Sequence, residues 1–158
     1  MPIRRLTADD IDVLRKVRLD ALRTDPDAFG GTLEREEGRP DEDWVWWVSS
    51  RSAMFVAENA GEPVGLAGGI GDDEQPDRAV LVSMWVAPAS RNQGIGRALV
   101  AAVVDWATAS GKQQIDLFVI EGNAAAIALY ERCGFALTGD RVERDRDQAV
   151  ELLMSLRL

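Results

Sequence analysis

No histidine occurs anywhere in the 158 residues, and cysteine occurs once, at Cys133. The first absence excludes catalytic triads and zinc sites built on imidazole. The second excludes an internal disulfide and a cysteine-rich metal centre, and it fits a reducing compartment. No metal cofactor is expected. No apolar run approaches the roughly 18 residues that a membrane span requires. The opening Met1-Pro2-Ile3-Arg4-Arg5 lacks the apolar core of an export signal, so the expected location is cytoplasmic, without a membrane partner. Positive charge is also scarce: 18 basic residues face 27 acidic ones, a net charge of −9. That balance argues against nucleic acid or an anionic membrane surface as partner and favours cationic ligands. Chemistry must therefore run on carboxylates, hydroxyls, the single tyrosine, water or backbone amides.

What is present describes a globular protein. Hydrophobic residues make up 46% and charged residues 28%, the profile of a chain that buries a core. Its length suits one domain, and no repeat, low-complexity tract or linker divides it, so residues 1–158 read as one domain. Ile3 to Leu6 reads as a short edge strand. Thr7 is a helix N-cap with Asp9 and Asp10 behind it, and Ile11, Leu14, Arg18 and Leu22 follow at helical spacing until Asp25-Pro26. Residues 26–39 read as a loop carrying Phe29, Glu34, Glu36 and Glu37. A second helix starts near Pro40, with Trp44, Trp47 and Val48 on its apolar face.

Strands are expected at 53–58 and 63–68 around a turn, and at 79–86. A helix follows over 94–110, then a strand at 115–120 and a helix over 123–132. Two strands close the chain, near 135–142 and 148–156. The order predicts an α/β fold, a mixed sheet with helices packed on it.

Two stretches carry chemistry. In the first, the strand ending Met84-Trp85-Val86 runs through Ala87-Pro88-Ala89-Ser90 into Arg91-Asn92-Gln93-Gly94-Ile95-Gly96-Arg97 and a helix. Glycines at a strand–helix junction let backbone amides approach a ligand, and a helix N-terminus offers unpaired N–H groups to phosphate. Arg91 and Arg97 add positive charge. Alone, the Gly-x-Gly fits a plain tight turn as well. It is no P-loop, since no Lys-Ser/Thr pair follows, and it lacks the third glycine of a dinucleotide fingerprint. In the second stretch, Asn123-Ala124-Ala125-Ala126-Ile127-Ala128-Leu129-Tyr130, seven steps of about 100° bring Asn123 and Tyr130 within about 20° of one helix face. One ligand lying along that face could touch both. Close helix–sheet packing would use the same small residues.

Together, in this order and spacing, the two stretches resemble the GNAT superfamily of N-acetyltransferases. Arg91-x-x-Gly94-x-Gly96 is similar to its Gln/Arg-x-x-Gly-x-Gly/Ala signature. Asn123, Ala126, Leu129, Tyr130, Gly134 and Phe135 match its Asn-x-x-Ala-x-x-Leu-Tyr-x-x-x-Gly-Phe segment. The resemblance covers the chain in element order, more loosely over residues 20–50. It implies a mixed, mostly antiparallel sheet whose central parallel strands splay apart, flanked by about four helices. It implies acetyl-CoA as co-substrate, with its pyrophosphate on the amides of Gln93 to Arg97. Arg91, Asn92, Asn123, Ala126 and Tyr130 would lie along it, and the acetyl carbonyl would meet the amide of Val86 or of its neighbour Trp85. Tyr130 would lie near the thioester sulfur. Attack by an amine puts negative charge on the carbonyl oxygen, so a fixed N–H lowers the barrier, and a protonated tyrosine can protonate the departing thiolate.

The expected function is therefore acetyl transfer to a primary amine, on a small molecule or a protein, by direct attack in a ternary complex. A domain of the same fold that binds acyl-CoA without turnover, or a regulator seating ATP on the glycine loop, are the other readings. The resemblance also implies a possible homodimer. Some relatives place a carboxylate base on the fourth strand; here that strand has none. Glu34, Glu36, Glu37, Asp116 and Glu121, otherwise solvated surface charges, and a water relay stay open as the base. Phe29, Glu34 and Trp85 are the expected acceptor-side residues, with Trp44, Trp46 and Trp47 as further candidates for an aromatic wall around a cationic amine.

Overall fold

A computed structural model describes residues 2–158; Met1 lies outside it. The strands are β1 (Ile3–Arg5), β2 (Ser52–Asn59), β3 (Glu62–Gly71), β4 (Arg78–Val86), β5 (Gln114–Ile120), β6 (Ala136–Glu143) and β7 (Val150–Arg157). The helices are α1 (Ile11–Thr24), α2 (Leu33–Glu37), α3 (Asp41–Trp46), α4 (Ile95–Ala109) and α5 (Ala124–Arg132). All seven strands form one sheet in the order β1-β2-β3-β4-β5-β7-β6, antiparallel except for β4 against β5. This is the expected mixed, mostly antiparallel architecture.

The flanking helices number five rather than about four, because α2 forms inside the segment read as a loop. Five residues are too few to show a period in sequence. Thr32 starts the helix by accepting a hydrogen bond from the Arg35 N–H at 3.3 Å, and its one buried side chain is charged, not apolar.

Alternation along the strands divides the core between the two faces of the sheet. Met54, Val56, Leu66 and Trp85 pack against Leu14, Val17, Ala21 and Leu22 of α1 and Trp44 of α3. Ala57, Ala67, Ile115, Leu117 and Met154 pack on the other face against Leu99, Val100 and Val103 of α4 and Tyr130 of α5. The glycines of β3 let α4 settle close. A Cβ on Gly69 would stand 2.4 Å from the Trp106 ring and 3.1 Å from Val103.

Two irregularities in β4 shape the centre of the molecule. Leu66 pairs with Trp85 but Gly68 pairs with Val82, so Ala67 faces two residues, Ser83 and Met84. Ser83 takes a left-handed conformation, φ 58°, to absorb the extra residue. A bulge of this kind bends the strand that carries it. Pairing of β4 with β5 covers only Arg78, Ala79 and Val80 against Gln114, Ile115 and Asp116. Beyond that point β5 stays with β7 along its whole length while β4 leaves. The sheet opens there as a wedge.

The close seat of α4 predicts that Gly69→Ala lowers stability by about 1–3 kcal/mol, because an aromatic ring must move. At Gly30 a Cβ would meet nothing within 4 Å. Gly30→Ala should stay within about 0.5 kcal/mol of the parent in the same thermal melts.

Candidate active site

A cavity of about 660 Å³ fills the wedge. Its floor is the end of β4, Met84 to Val86; one wall is the start of α4 and the other is α5. Strand geometry decides which amides face it. Ala87 donates its N–H to the Val64 carbonyl at 2.8 Å, so that position turns toward β3. Successive residues of a strand point their backbone groups to opposite sides, so Val86 turns its N–H and C=O away from β3 and into the wedge. Its carbonyl accepts from Arg91 Nε at 2.8 Å. Its N–H has no β5 partner to meet, because pairing with β5 stopped at Val80.

The loop after β4 turns sharply into α4. Asn92 and Gly94 both take positive φ, 63° and 84°. The first-turn amides of α4, at Ile95, Gly96 and Arg97, have no intrahelical acceptor and border the cavity. Gly96 is glycine for reasons of space: a Cβ there would press on Leu129 of α5 and Met84 of β4, both at 3.1 Å. Arg97 and Arg132 stand at the rim with no carboxylate partner among the described residues. They bear on Cys133, whose thiol is pushed up by burial and drawn back in part by both arginines.

Arg91 is differently placed. Its guanidinium donates to Asp25 Oδ2 at 2.8 Å, and the same oxygen accepts from Trp85 Nε1 at 2.9 Å. Asp25, read in sequence only as a helix end, thus ties α1 to the end of β4. Arg91 lines the cavity, but its charge is matched by this carboxylate. Asn123 also holds local structure, its Oδ1 accepting from the Ala126 N–H at 3.2 Å to cap α5.

A second cavity, of about 260 Å³, adjoins the first on the α1 side of the sheet. Tyr130, Met84, Ala28 and Phe29 border both. Tyr130 is 6% exposed, and burial, with a smaller contribution from Cys133, pushes its hydroxyl well above the ordinary tyrosine value. The loop bearing Phe29 is strapped down from across the molecule. Arg144 donates to the carbonyls of Phe29 and Asp27 at 3.0 and 2.9 Å, and Arg146 to those of Phe29 and Pro26 at 2.8 and 3.0 Å. The second cavity is otherwise walled by Arg18, Trp47, Phe118 and Glu151 and by β4 from Val80 to Met84.

Most residues expected at the site border the first cavity. Trp85, Val86, Arg91 and Asn92 do so from β4 and its loop. Gly94, Ile95, Gly96 and Arg97 do so from α4, and Asn123, Ala126 and Tyr130 from α5. Gln93 and Glu34 line neither cavity, and Glu34 is exposed on the outer side of α2. Trp44 is a core residue, Trp46 is 47% exposed, and of that group only Trp47 reaches the second cavity. Among the carboxylates, Glu36 is no surface charge: it is 4% exposed and paired with Arg18. Asp116 is held by Ser155 and Gln114, and Glu121 by Arg141. The sequence reading missed Asp25, Arg132, Arg144, Arg146 and Glu151. Arg18, a charge in the apolar stripe of α1, was the one signal that a buried carboxylate had to exist.

Residues 18–135 match the acetyltransferase (GNAT) family. Mycothiol acetyltransferase of Amycolatopsis mediterranei is 33% identical over 125 residues, covering 75% of this chain and 41% of that protein. Streptothricin acetyltransferase of Streptomyces lavendulae is 34% identical over 129 residues, covering 80% of this chain and 64% of that protein. The chain thus spans less than two thirds of the length of either relative. A Salmonella typhimurium structure solved with its cofactor acetyl-CoA shares the fold, with a TM-score of 0.80 at 22% identity over 100% of this chain and 94% of that one. The matched residues include the wedge between β4 and β5, the glycine turn into α4 and the Asn123–Tyr130 face of α5, and the chain belongs to the acetyltransferase (GNAT) family.

Proposed function

We propose that residues 1–158 act as one domain that transfers an acetyl group from acetyl-CoA to a primary amine, by direct attack within a ternary complex. The observation that carries this reading is the meeting of two cavities at Tyr130, one large enough for a cofactor arm and one for an acceptor. Two reactants held on either side of one side chain need no acyl-enzyme. Cys133 supports this: burial keeps its thiol in the protonated, poorly nucleophilic form.

In this reading the first-turn amides of α4, with Arg97 and Arg132 at the rim, receive the pyrophosphate and neighbouring phosphate. The pantetheine arm lies in the wedge, where its amides replace the strand pairing that β4 and β5 forgo. The thioester is the electrophile that acetyl-CoA supplies. The Val86 N–H, held in place by the Arg91 bond to its own carbonyl, stabilises negative charge on the acyl oxygen as the C–N bond forms. Tyr130 donates a proton to the sulfur as the C–S bond breaks. Water relays the two protons that the ammonium loses: one leaves to solvent before attack, and the other, lost as the amide forms, returns to the Tyr130 oxygen. The acceptor is a cationic amine. Mycothiol and streptothricin in the names of the relatives are consistent with small-molecule acceptors.

Calorimetric titration with acetyl-CoA, followed by thiol release across an amine panel, tests the proposal. Binding with turnover is the expected result. Binding without turnover on any amine would favour an acyl-CoA sensor, and no binding would sink the reading. Tyr130→Phe should lower kcat by about 10²–10⁴-fold while acetyl-CoA affinity stays unchanged, as expected for loss of a proton donor.

The pH dependence follows from the direction of the Tyr130 shift. A proton donor works below its pKa, and burial raises that value, so the donor is lost only at pH well above the ordinary tyrosine range. The profile of kcat should therefore show no Tyr130-dependent alkaline fall below about pH 10. A fall at lower pH that disappears in Tyr130→Phe would refute the assignment.

A further inference from the structure

Two charged side chains line the second cavity, Arg18 and Glu151, and they decide what can enter it. Arg18 projects from α1 and would by itself invite an acceptor carboxylate. Its guanidinium is already engaged twice by Glu36, Nε to Oε1 at 2.9 Å and Nη2 to Oε2 at 3.0 Å, and it rests 4.8 Å over the Phe29 ring. The pair is built in: Glu36 is 4% exposed, and Gly31 leaves it room, since a Cβ there would stand 1.9 Å from Oε2. On the β7 side, Arg144 is engaged twice by Asp147, at 2.8 and 2.9 Å. Its Nη1 and Nη2 also donate to the Phe29 and Asp27 carbonyls, respectively.

Glu151 is the charge left over. It lies on β7 opposite Ile120 of β5, on the same sheet face as Phe118, and borders the cavity half-buried. It has no hydrogen-bond or ion-pair partner among the described residues. Arg18, the one arginine that lines the cavity, is matched by Glu36, while Arg144 and Arg146 share Asp147 outside the lining. Glu151 is thus the one unpaired charge of the lining, set between the aromatic walls of Phe118, Trp47 and Tyr130.

We infer that Glu151 is a specificity-determining residue that receives the acceptor's ammonium, and that the site selects amines lacking an α-carboxylate. This rests on the second cavity being the acceptor site of the proposed transferase. A carboxylate on the acceptor would meet Glu151 with no unpaired cation in the cavity lining to offset it. An aromatic or alkyl body would lie against Phe118 and Trp47, with the ammonium directed to Glu151.

Matched pairs of diamines, in which one nitrogen can sit at Glu151 while the other attacks, test this: 1,4-diaminobutane against ornithine, and cadaverine against lysine. Each is measured for binding to the protein saturated with CoA, and for acetylation. The wild type should prefer the member without the carboxylate by about tenfold or more. Glu151→Gln should weaken amine binding and raise KM by about tenfold, leave acetyl-CoA affinity unchanged, and erode the preference within each pair. Glu36→Gln frees the charge of Arg18 and should move the preference toward the carboxylated member. Equal or better use of the carboxylated members by the wild type would overturn the inference, as would a Glu151→Gln variant with unchanged KM and preference. So would failure of the wild type to bind either amine at millimolar concentration while acetyl-CoA binds. Failure of acetyl-CoA to bind at all would be a different result, against the transferase reading itself.

Discussion

The parting of β4 from β5 after three residue pairs is the constraint on which the rest of the molecule depends. A sheet interior normally closes on itself through its ladder, because an unpaired buried N–H or C=O costs roughly 1–3 kcal/mol. Here β5 remains bonded to β7 along its full length while the bulge at Ser83 and Met84 bends β4. The open edges are not left to chance. Arg91 takes the Val86 carbonyl, Asp25 holds Arg91 and Trp85 together, and α5 fills the far side of the gap with Leu129 and Tyr130. The structure therefore supports a backbone opening that ordinary strand pairing would close, and it does so with side chains from α1 and from the loop after β4.

The same economy governs the loop that separates the two cavities. Residues 26–29 have no sheet or helix to belong to beyond one 3₁₀ turn. Their carbonyls are instead taken by Arg144 and Arg146 from the β6–β7 connection, more than 110 positions away in sequence. A buried guanidinium with five donors can satisfy several carbonyls and a carboxylate at once, which a lysine could not do with the same geometry. Phe29 is fixed by this strap, and through Phe29 both cavities acquire a common wall.

Much of this was legible in the sequence, and the rest was hidden for physical reasons. The elements from β2 onward followed period and punctuation closely: the helix expected over 94–110 is α4 at Ile95–Ala109, and the strand at 79–86 is β4 at Arg78–Val86. Those segments bury a continuous apolar face, which is what periodicity reports. The residues bordering the first cavity were found because glycine turns and the Asn123–Tyr130 spacing are local. Missed features were all non-local or non-periodic. The bulge uses Ser83, a residue that carries no turn signal. The short α2 is organised by Glu36 meeting an arginine of α1, 18 positions earlier. Glu151 sits in a strand whose alternation marks it only as outward-facing, and nothing in the sequence says that the space outside β7 at that point is a cavity.

In the proposed transferase, charge would let one acidic chain serve two oppositely charged ligands. A net charge of −9 repels an anion at long range, yet screening at physiological salt confines that repulsion to roughly 8 Å. Within that distance the local groups decide. At the mouth of the first cavity these are the unpaired amides of α4 with Arg97 and Arg132. In the second they are Glu151 and Arg18, the latter already matched by Glu36. The positive groups lie at the α4 end and the unpaired Glu151 at the β7 end, with the neutral Tyr130 hydroxyl between them. In the proposed transferase, an anionic donor and a cationic acceptor entering from opposite ends would each be drawn toward the same point. Neither would be drawn into the other's cavity, so charge as well as the shape of the sheet would keep the two sites apart.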